Sequence, residues 1–314
     1  MNRRIALALL LSILFAPCAF AQQVPDLDFK FANPSPAYEV GHGPAVCVDA
    51  AHNNSHTADG TYKPFADLLR GDGYVVTAFA KKFSAESLGE CAVMTIPNAI
   101  GDANAEDWSY PHPSAFTREE LNALHTWIRD GGALLLIVDH APMAGAASDL
   151  GTLLGVAMFD GYASSGAANS PPDIFSSKDG TLKPHPILAG RNEKEAVQSV
   201  ATFTGHPFHA SKDFRPLMIF GPGSQALTVP LQNFPDMPEP EWPVLAIEGW
   251  WHGATRSLGK GRVVILGEAA MCSAQLAGPE KRPMGMNHPR AAQNAQFCLN
   301  AVHWLSSVLE PPLL

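Results

Sequence analysis

Three short stretches of the sequence concentrate side chains that can move protons or hold a metal ion. The densest holds Asp49, His52, Asn53, Asn54, His56 and Asp59, directly after the run Ala45-Val-Cys-Val48. Asp139 and His140 follow the apolar run Ala133-Leu-Leu-Leu-Ile-Val138 in the same way, and Glu268 closes Arg262-Val-Val-Ile-Leu-Gly267. Carboxylates beside imidazoles suit general acid–base work or a divalent cation. The candidate catalytic set is Asp49, His52, Asp139, His140 and Glu268, and the candidate metal ligands are His52, His56, Asp139 and His140. His52 and His56 face the same way only if their loop makes a helical turn. The plainer reading of Asn, Asp and His at such positions is that they cap and turn the chain. No stretch has the fixed spacing of a zinc signature, so activation of water by an Asp–His pair stands beside the metal reading.

These residues need elements that end together. Ala45–Asp49 reads as a buried strand, and Lys63–Arg70 as a helix with Pro64 in its first turn and Phe65, Leu68 and Leu69 facing inward. Further strands are expected near 74–79, 92–96, 133–139 and 262–267, with a short helix near 84–89. Thr117-Arg-Glu-Glu120 is a capping box that opens a helix with Leu121, Leu124, Trp127 and Ile128 on one face. Ser148 reads as the cap of the next helix. The alternation predicts an α/β fold with an open, mostly parallel, flavodoxin-like sheet flanked by helices and carrying loop insertions. In such a sheet, neighbouring strand ends lie roughly 4.8 Å apart, and the ligand crevice sits outside their carboxyl ends. Asp49, Asp139 and Glu268, with the nearby histidines, are therefore expected to converge on one cleft. The long loop from Pro97 to Ser114 reads as a binding loop, and its Trp108 and Tyr110 join Asn53 and Asn54 as expected substrate contacts.

Residues 1–21 have a basic start, an apolar core and an Ala19-Phe-Ala21 ending, the pattern of a secretory signal cleaved before Gln22. The expected organisation is a signal peptide over 1–21, an extended proline-rich arm over 22–43 and one α/β domain over 44–310. The apolar core is too short for a comfortable membrane span, and a secreted or periplasmic location follows. The formal net charge of −9 becomes more negative once Arg3 and Arg4 leave, which argues against nucleic acid and anionic membrane surfaces as partners. Cys47, Cys91, Cys272 and Cys298 can pair in an oxidising compartment, in pairings the sequence does not rank. For Cys47, inside a central strand, a buried free thiol is the commoner state.

Phe116 to His140, with its helix, Gly131-Gly132 turn and strand, resembles the corresponding part of the class I glutamine amidotransferase-like superfamily, closest to its ThuA-like and uncharacterised branches. Lys183-Pro-His-Pro-Ile-Leu-Ala-Gly190 resembles a His-Pro-Ile segment of those branches. Leu258–Glu268 and Asn294–Leu305 are similar to their closing strand and final helix. The resemblance spans most of the chain after the leader, but its motifs specify fold, and fold does not imply function. One departure bears on chemistry. Catalytic amidotransferases place a cysteine at the turn after the central strand, where this chain has Asp139-His-Ala-Pro-Met143, so glutaminase chemistry is not expected and water must be the nucleophile.

The second half yields less. Strands are expected in 197–203, 217–220 and 244–247, and a proline-rich surface loop over 234–243. Trp250 and Trp251 read as core residues, and His125, His185 and His303 as structural. Three functions fit. They are an exported hydrolase of a carbohydrate- or amide-type substrate, a non-catalytic module for a small-molecule or glycan ligand, and a structural subunit of an envelope assembly. The last requires an exposed apolar patch. The sequence names neither a substrate nor an oligomeric state.

Overall fold

A computed structural model describes residues 23–166, 172–228 and 243–310. The predicted signal peptide and most of the proline-rich run 234–243 lie outside the described residues. A nine-stranded mixed sheet organises the chain. Five strands are parallel, in the spatial order Val75–Phe79, Ala45–Asp49, Val93–Pro97, Ala133–Ile137, Gly261–Leu266. Beyond the last of these the sheet continues antiparallel through Trp251–Leu258, Phe208–Ala210 and Val156–Met158, with Arg215–Ile219 also pairing to Trp251–Leu258. The expectation of a mostly parallel sheet is corrected accordingly. The antiparallel part comes from the region where no helical periodicity separates the strands, and a parallel return needs a crossover of a dozen or more residues.

Alternation along each strand sorts the core onto two faces of the sheet. Val46, Val48, Leu135, Ile137, Val264 and Leu266 pack on one face, toward the helices Lys63–Gly71 and Asn294–Leu305. Cys47, Met94, Ile96, Leu134, Leu136, Val263 and Ile265 pack on the other, with Leu124 and Ile128 of helix Arg118–Asp130 and Leu150 and Leu154 of helix Ser148–Leu154. Burial on both faces explains why these strands read as unbroken apolar runs.

Three local expectations are revised, those for Cys47, Ser148 and the tryptophan pair. Cys47 is bonded to Cys91, and Cys272 to Cys298, so Cys47 is not a free thiol: the chain entering the neighbouring strand Val93–Pro97 passes close enough to bond it. Ser148 is the first residue of its helix rather than its cap, and its hydroxyl donates to the Ala144 carbonyl at 2.8 Å. The N-terminal arm is tied down. Gln23–Pro25 pairs antiparallel with Ala274–Ala277, and Asp72 accepts from the Asn33 side chain (2.7 Å) and the Ala37 N–H (2.9 Å) while bonding His303 at 2.6 Å. Trp250 and Trp251 are only partly buried, against opposite core faces.

Candidate functional site

The chain leaves Ala45–Asp49 toward one edge of the parallel strands and Val93–Pro97 toward the other. That switch opens a crevice at the carboxyl ends of these two strands. The loops filling it are 50–62 and 98–117, together with the turn after Ala133–Ile137. Asn98 ties the three together. Its N–H donates to the Ile137 carbonyl (2.9 Å), its carbonyl accepts the Ser55 N–H (3.1 Å), and its side-chain oxygen accepts the Asp139 N–H (2.8 Å). Asn98 has φ 51°, a left-handed backbone that asparagine tolerates better than most residues.

The result is a cleft of about 480 Å³ lined by His56, Asn98, Trp108, Asp139, His140 and Gln275 among others. Four of the expected site residues, His56, Trp108, Asp139 and His140, thus share one space. The His56 ring lies on Tyr62 (centroids 4.6 Å), and its Nδ1 is 2.5 Å from the Thr61 hydroxyl. Its Nε2 has no hydrogen-bond partner among the described residues and is not sealed from solvent. Burial lowers the His56 pKa to about 4 against the opposing pull of Asp139, so the imidazole is neutral at pH 7. Asp139 accepts the His140 N–H (2.8 Å), and the His140 ring stacks on Tyr162 at 4.3 Å. Trp108 is half exposed at the rim, 6.4 Å from the His140 ring. Its loop is pinned by His112, which bonds Asp160 (2.6 Å) and the Trp108 carbonyl (3.0 Å).

Asp49 and His52 do not reach this cleft. His52 turns to the opposite face of the sheet, between Phe83 and Phe116, and both of its ring nitrogens are taken. Nδ1 meets Asp49 at 2.8 Å and Nε2 meets Glu120 at 3.0 Å. Burial disfavours the charged ring, but the two carboxylates outweigh it and raise the His52 pKa. The Glu120 carboxyl is itself lowered to about 2: burial opposes this, while the Thr117 N–H and His52 favour the charged form. The loop does not make the helical turn that would align His52 with His56. The expected metal set is therefore not assembled, and among the described residues no group of three or more His, Cys, Asp or Glu side chains is placed to share a metal ion.

Glu268 lies beneath the cleft floor, fully buried, accepting the N–H groups of Ala270 (2.5 Å) and Met271 (2.8 Å). Burial and then the charge of Asp139 push its pKa well above the ordinary carboxyl value. Asn54 is consumed internally, donating to Asp49 (3.0 Å) and to the Pro97 carbonyl (3.1 Å), and Asn53 donates to Asp102 (2.7 Å) at the surface. Neither lines the cleft, and neither does Tyr110, which packs edge-on against His112. Two further buried imidazoles flank the site. His206 donates from Nδ1 to the Val138 carbonyl (3.0 Å) and His252 to the His206 carbonyl (3.0 Å). Burial lowers their pKa values to about 3 and about 4. Gly205 (φ +142°) permits this packing, because a Cβ there would overlap the Gly267 carbonyl and the His252 ring.

Reading of the sequence missed Thr61, Phe203, Thr204, Gln275, Met284 and Gln23 as cleft residues. None carries a motif, and each arrives through tertiary packing. Glu120 was visible only as a capping-box residue; its second oxygen, free of the box, is the one that reaches His52 and the Phe83 N–H.

No protein-family model matches this sequence, and no curated protein matches it. Among solved structures, the N-terminal domain of mmIFT52 is similar over 84% of this chain and 97% of that one, at 13% identity and a TM-score of 0.57. At that identity the likeness shows the fold alone. A protein described as ThuA-like from Bacteroides uniformis ATCC 8492 is 16% identical over 87% of this chain and 95% of its own, with a TM-score of 0.47. A β-galactosidase from Bacillus circulans sp. alkalophilus is 9% identical over 87% of this chain and 32% of its own, with a TM-score of 0.44. These two scores carry no argument about chemistry.

Proposed function

We propose that this chain is an exported, ThuA-like, amidotransferase-like protein that hydrolyses a glycosidic or amide bond in a small ligand, using water activated between His56 and Asp139. The observation that carries this reading is the Nε2 of a neutral His56, without a hydrogen-bond partner among the described residues, inside a cleft that also holds a carboxylate. A neutral imidazole accepts a proton from water, and the nearby Asp139 charge stabilises the imidazolium that forms. The Asp139 charge already acts on that pKa, and without it the base would be weaker still. Trp108 offers an aromatic face at the rim, suited to the apolar face of a sugar or to an aryl amide. No described lining residue is Lys or Arg, so the ligand is uncharged or cationic rather than a phosphate or carboxylate.

Export is proposed on the leader pattern, and the two disulfides support it, because such bonds persist in oxidising compartments. Among the described residues no helix is long and apolar enough to cross a membrane. N-terminal sequencing of protein from its native host should begin at Gln22; an intact Met1 would refute cleavage.

The test of the activity is a panel of nitrophenyl glycosides and nitroanilides. Turnover of at least one, falling sharply in His56→Ala and Asp139→Asn, is the expected result. Turnover unchanged in both variants would overturn it. The second reading, a binding module without chemistry, is favoured by the absence of a nucleophile at Asp139-His-Ala-Pro-Met143; binding of neutral sugars with no turnover would select it.

A further inference from the structure

We infer that Thr61 is a positioning residue: its hydroxyl fixes the tautomer of His56, placing the proton on Nδ1 and leaving Nε2 as an open acceptor in the cleft. The inference rests on the reading of His56 as the base, and it assigns a role to a residue that no motif marks.

Two contacts converge on Thr61 Oγ1: the His56 Nδ1 atom at 2.5 Å and the Ser55 carbonyl oxygen at 3.3 Å. The carbonyl can only accept, and a threonine hydroxyl has one proton to give. If that proton goes to Ser55, the hydroxyl oxygen is free to accept from His56, and Nδ1 carries its hydrogen. If it goes to Nδ1 instead, the Ser55 contact has no proton at all. The first arrangement satisfies both contacts, whereas the second keeps the shorter one and leaves the exposed Ser55 carbonyl to solvent. A neutral imidazole protonated at Nδ1 is bare at Nε2, so the relay runs from His56 through Thr61 to the backbone of Ser55, whose own N–H is held by the Asn98 carbonyl.

The surroundings restrict the ring further. Its face lies on Tyr62, whose hydroxyl donates to the Ala269 carbonyl at 2.7 Å, so the platform under the imidazole is itself anchored. A ring held by one hydrogen bond and one stacked face is pre-oriented, as the nitrogen opposite a hydrogen-bonded one is in many His sites. Asp139 then has a complementary task. A water donating one hydrogen to Nε2 can donate its other to the carboxylate, which leaves a lone pair on the water oxygen for attack. No covalent change is needed at Thr61, whose proton stays on its oxygen throughout.

The experiment reads the tautomer directly and needs no substrate. In protein labelled with 15N-histidine at pH 7, long-range ring correlations should give His56 a pyrrole-type Nδ1 and a pyridine-type Nε2, the resonances being identified by their loss in His56→Gln. Thr61→Val should move both ring nitrogens toward exchange-averaged or reversed positions, and Thr61→Ser should keep the wild-type pattern. A wild-type His56 protonated at Nε2, or a Thr61→Val spectrum identical to wild type, overturns the assignment. Should Thr61→Val fail to fold, the wild-type and Thr61→Ser spectra still decide it. A negative hydrolysis screen with the expected tautomer would count against the proposed chemistry and leave the role of Thr61 standing. A reversed tautomer with active enzyme would do the opposite.

Discussion

The two strand ends Asp49-x-x-His52 and Val138-Asp139-His140 carry the same residue types at the same edge of the sheet, yet only one of them serves a cleft. At the first, a third group arrives. Glu120, delivered by the capping box of helix Arg118–Asp130, closes the free nitrogen of His52, so that the imidazole is held between two carboxylates without solvent. At the second, no further carboxylate among the described residues closes the space, and His56 enters from the same loop with one nitrogen open. An Asp–His pair is thus a structural tie or a reactive pair according to whether a further partner completes it. The two outcomes show in opposite pKa directions, up for His52 and down for His56.

The largest expected break in this contrast is kinetic. His56→Ala should lower any turnover found in the substrate screen by about 10²–10⁴-fold, the usual contribution of a positioned acid or base. Steady-state rates measured beside His52→Ala check it, because loss of His52 should act through folding and leave the rate per folded molecule within a small factor of wild type.

Next comes stability. Removing one partner of a buried ion pair leaves an uncompensated charge and costs about 3–5 kcal/mol. Glu120→Ala or His52→Ala should therefore lower the urea unfolding free energy by that order, whereas His56→Ala should cost clearly less. Equal losses at the two histidines would erase the distinction.

A smaller effect is expected at the rim. Trp108→Ala should weaken binding of a neutral sugar or aryl ligand by up to about tenfold, in line with about 0.5–1.5 kcal/mol for an aromatic contact, with kcat changing less than KM. Titration calorimetry against the best ligand of the screen measures it.

The finest test uses pH. A histidine whose folded pKa lies below its unfolded value leaves the unfolded chain binding more protons, so stability falls as pH drops from about 6.5 to about 4. His56→Gln should reduce that slope by up to one proton, about 1.4 kcal/mol per pH unit. His52 works the other way. Its contribution is complete below about 6.5 and is lost as pH rises through its raised folded value, while that of Glu120 is present above 4.5 and fades as pH falls toward about 2. Chemical denaturation of His52→Ala and His56→Gln across this range should give curves that diverge in opposite directions.

How much of this was legible follows the range of the interactions. The parallel strands and their helices announce themselves locally, by apolar runs, the Thr117–Glu120 box and the final helix Asn294–Leu305. The placement of Asp139 and His140 at a strand end needed only the alternation of the pattern. What the sequence withheld depended on partners distant in the chain. His52 looked equivalent to His56 until Glu120, 68 residues away, was brought to it. The antiparallel extension was hidden because its strands are short and lack helices between them. Cleft residues such as Gln275 and Phe203 have no periodic or chemical signature, and their membership is a property of the packed sheet alone.

The Cys47–Cys91 bond has a mechanical consequence. It fastens the strand Ala45–Asp49 to the chain just before Val93–Pro97, the two strands that diverge at the switch. The covalent link sits at the middle of the first strand and ahead of the second, while beyond their carboxyl ends the described chain is joined by hydrogen bonds such as Ser55 to Asn98. A clip fixed at its base moves most at its tips. The amplitude of breathing should therefore grow toward the cleft, and amide hydrogen exchange should be faster at Ser55 and Asn98 than at Val46 and Val93. Fluctuation is thereby directed to the end of the sheet where a ligand must enter, without loosening the strands that hold the pair of groups in place.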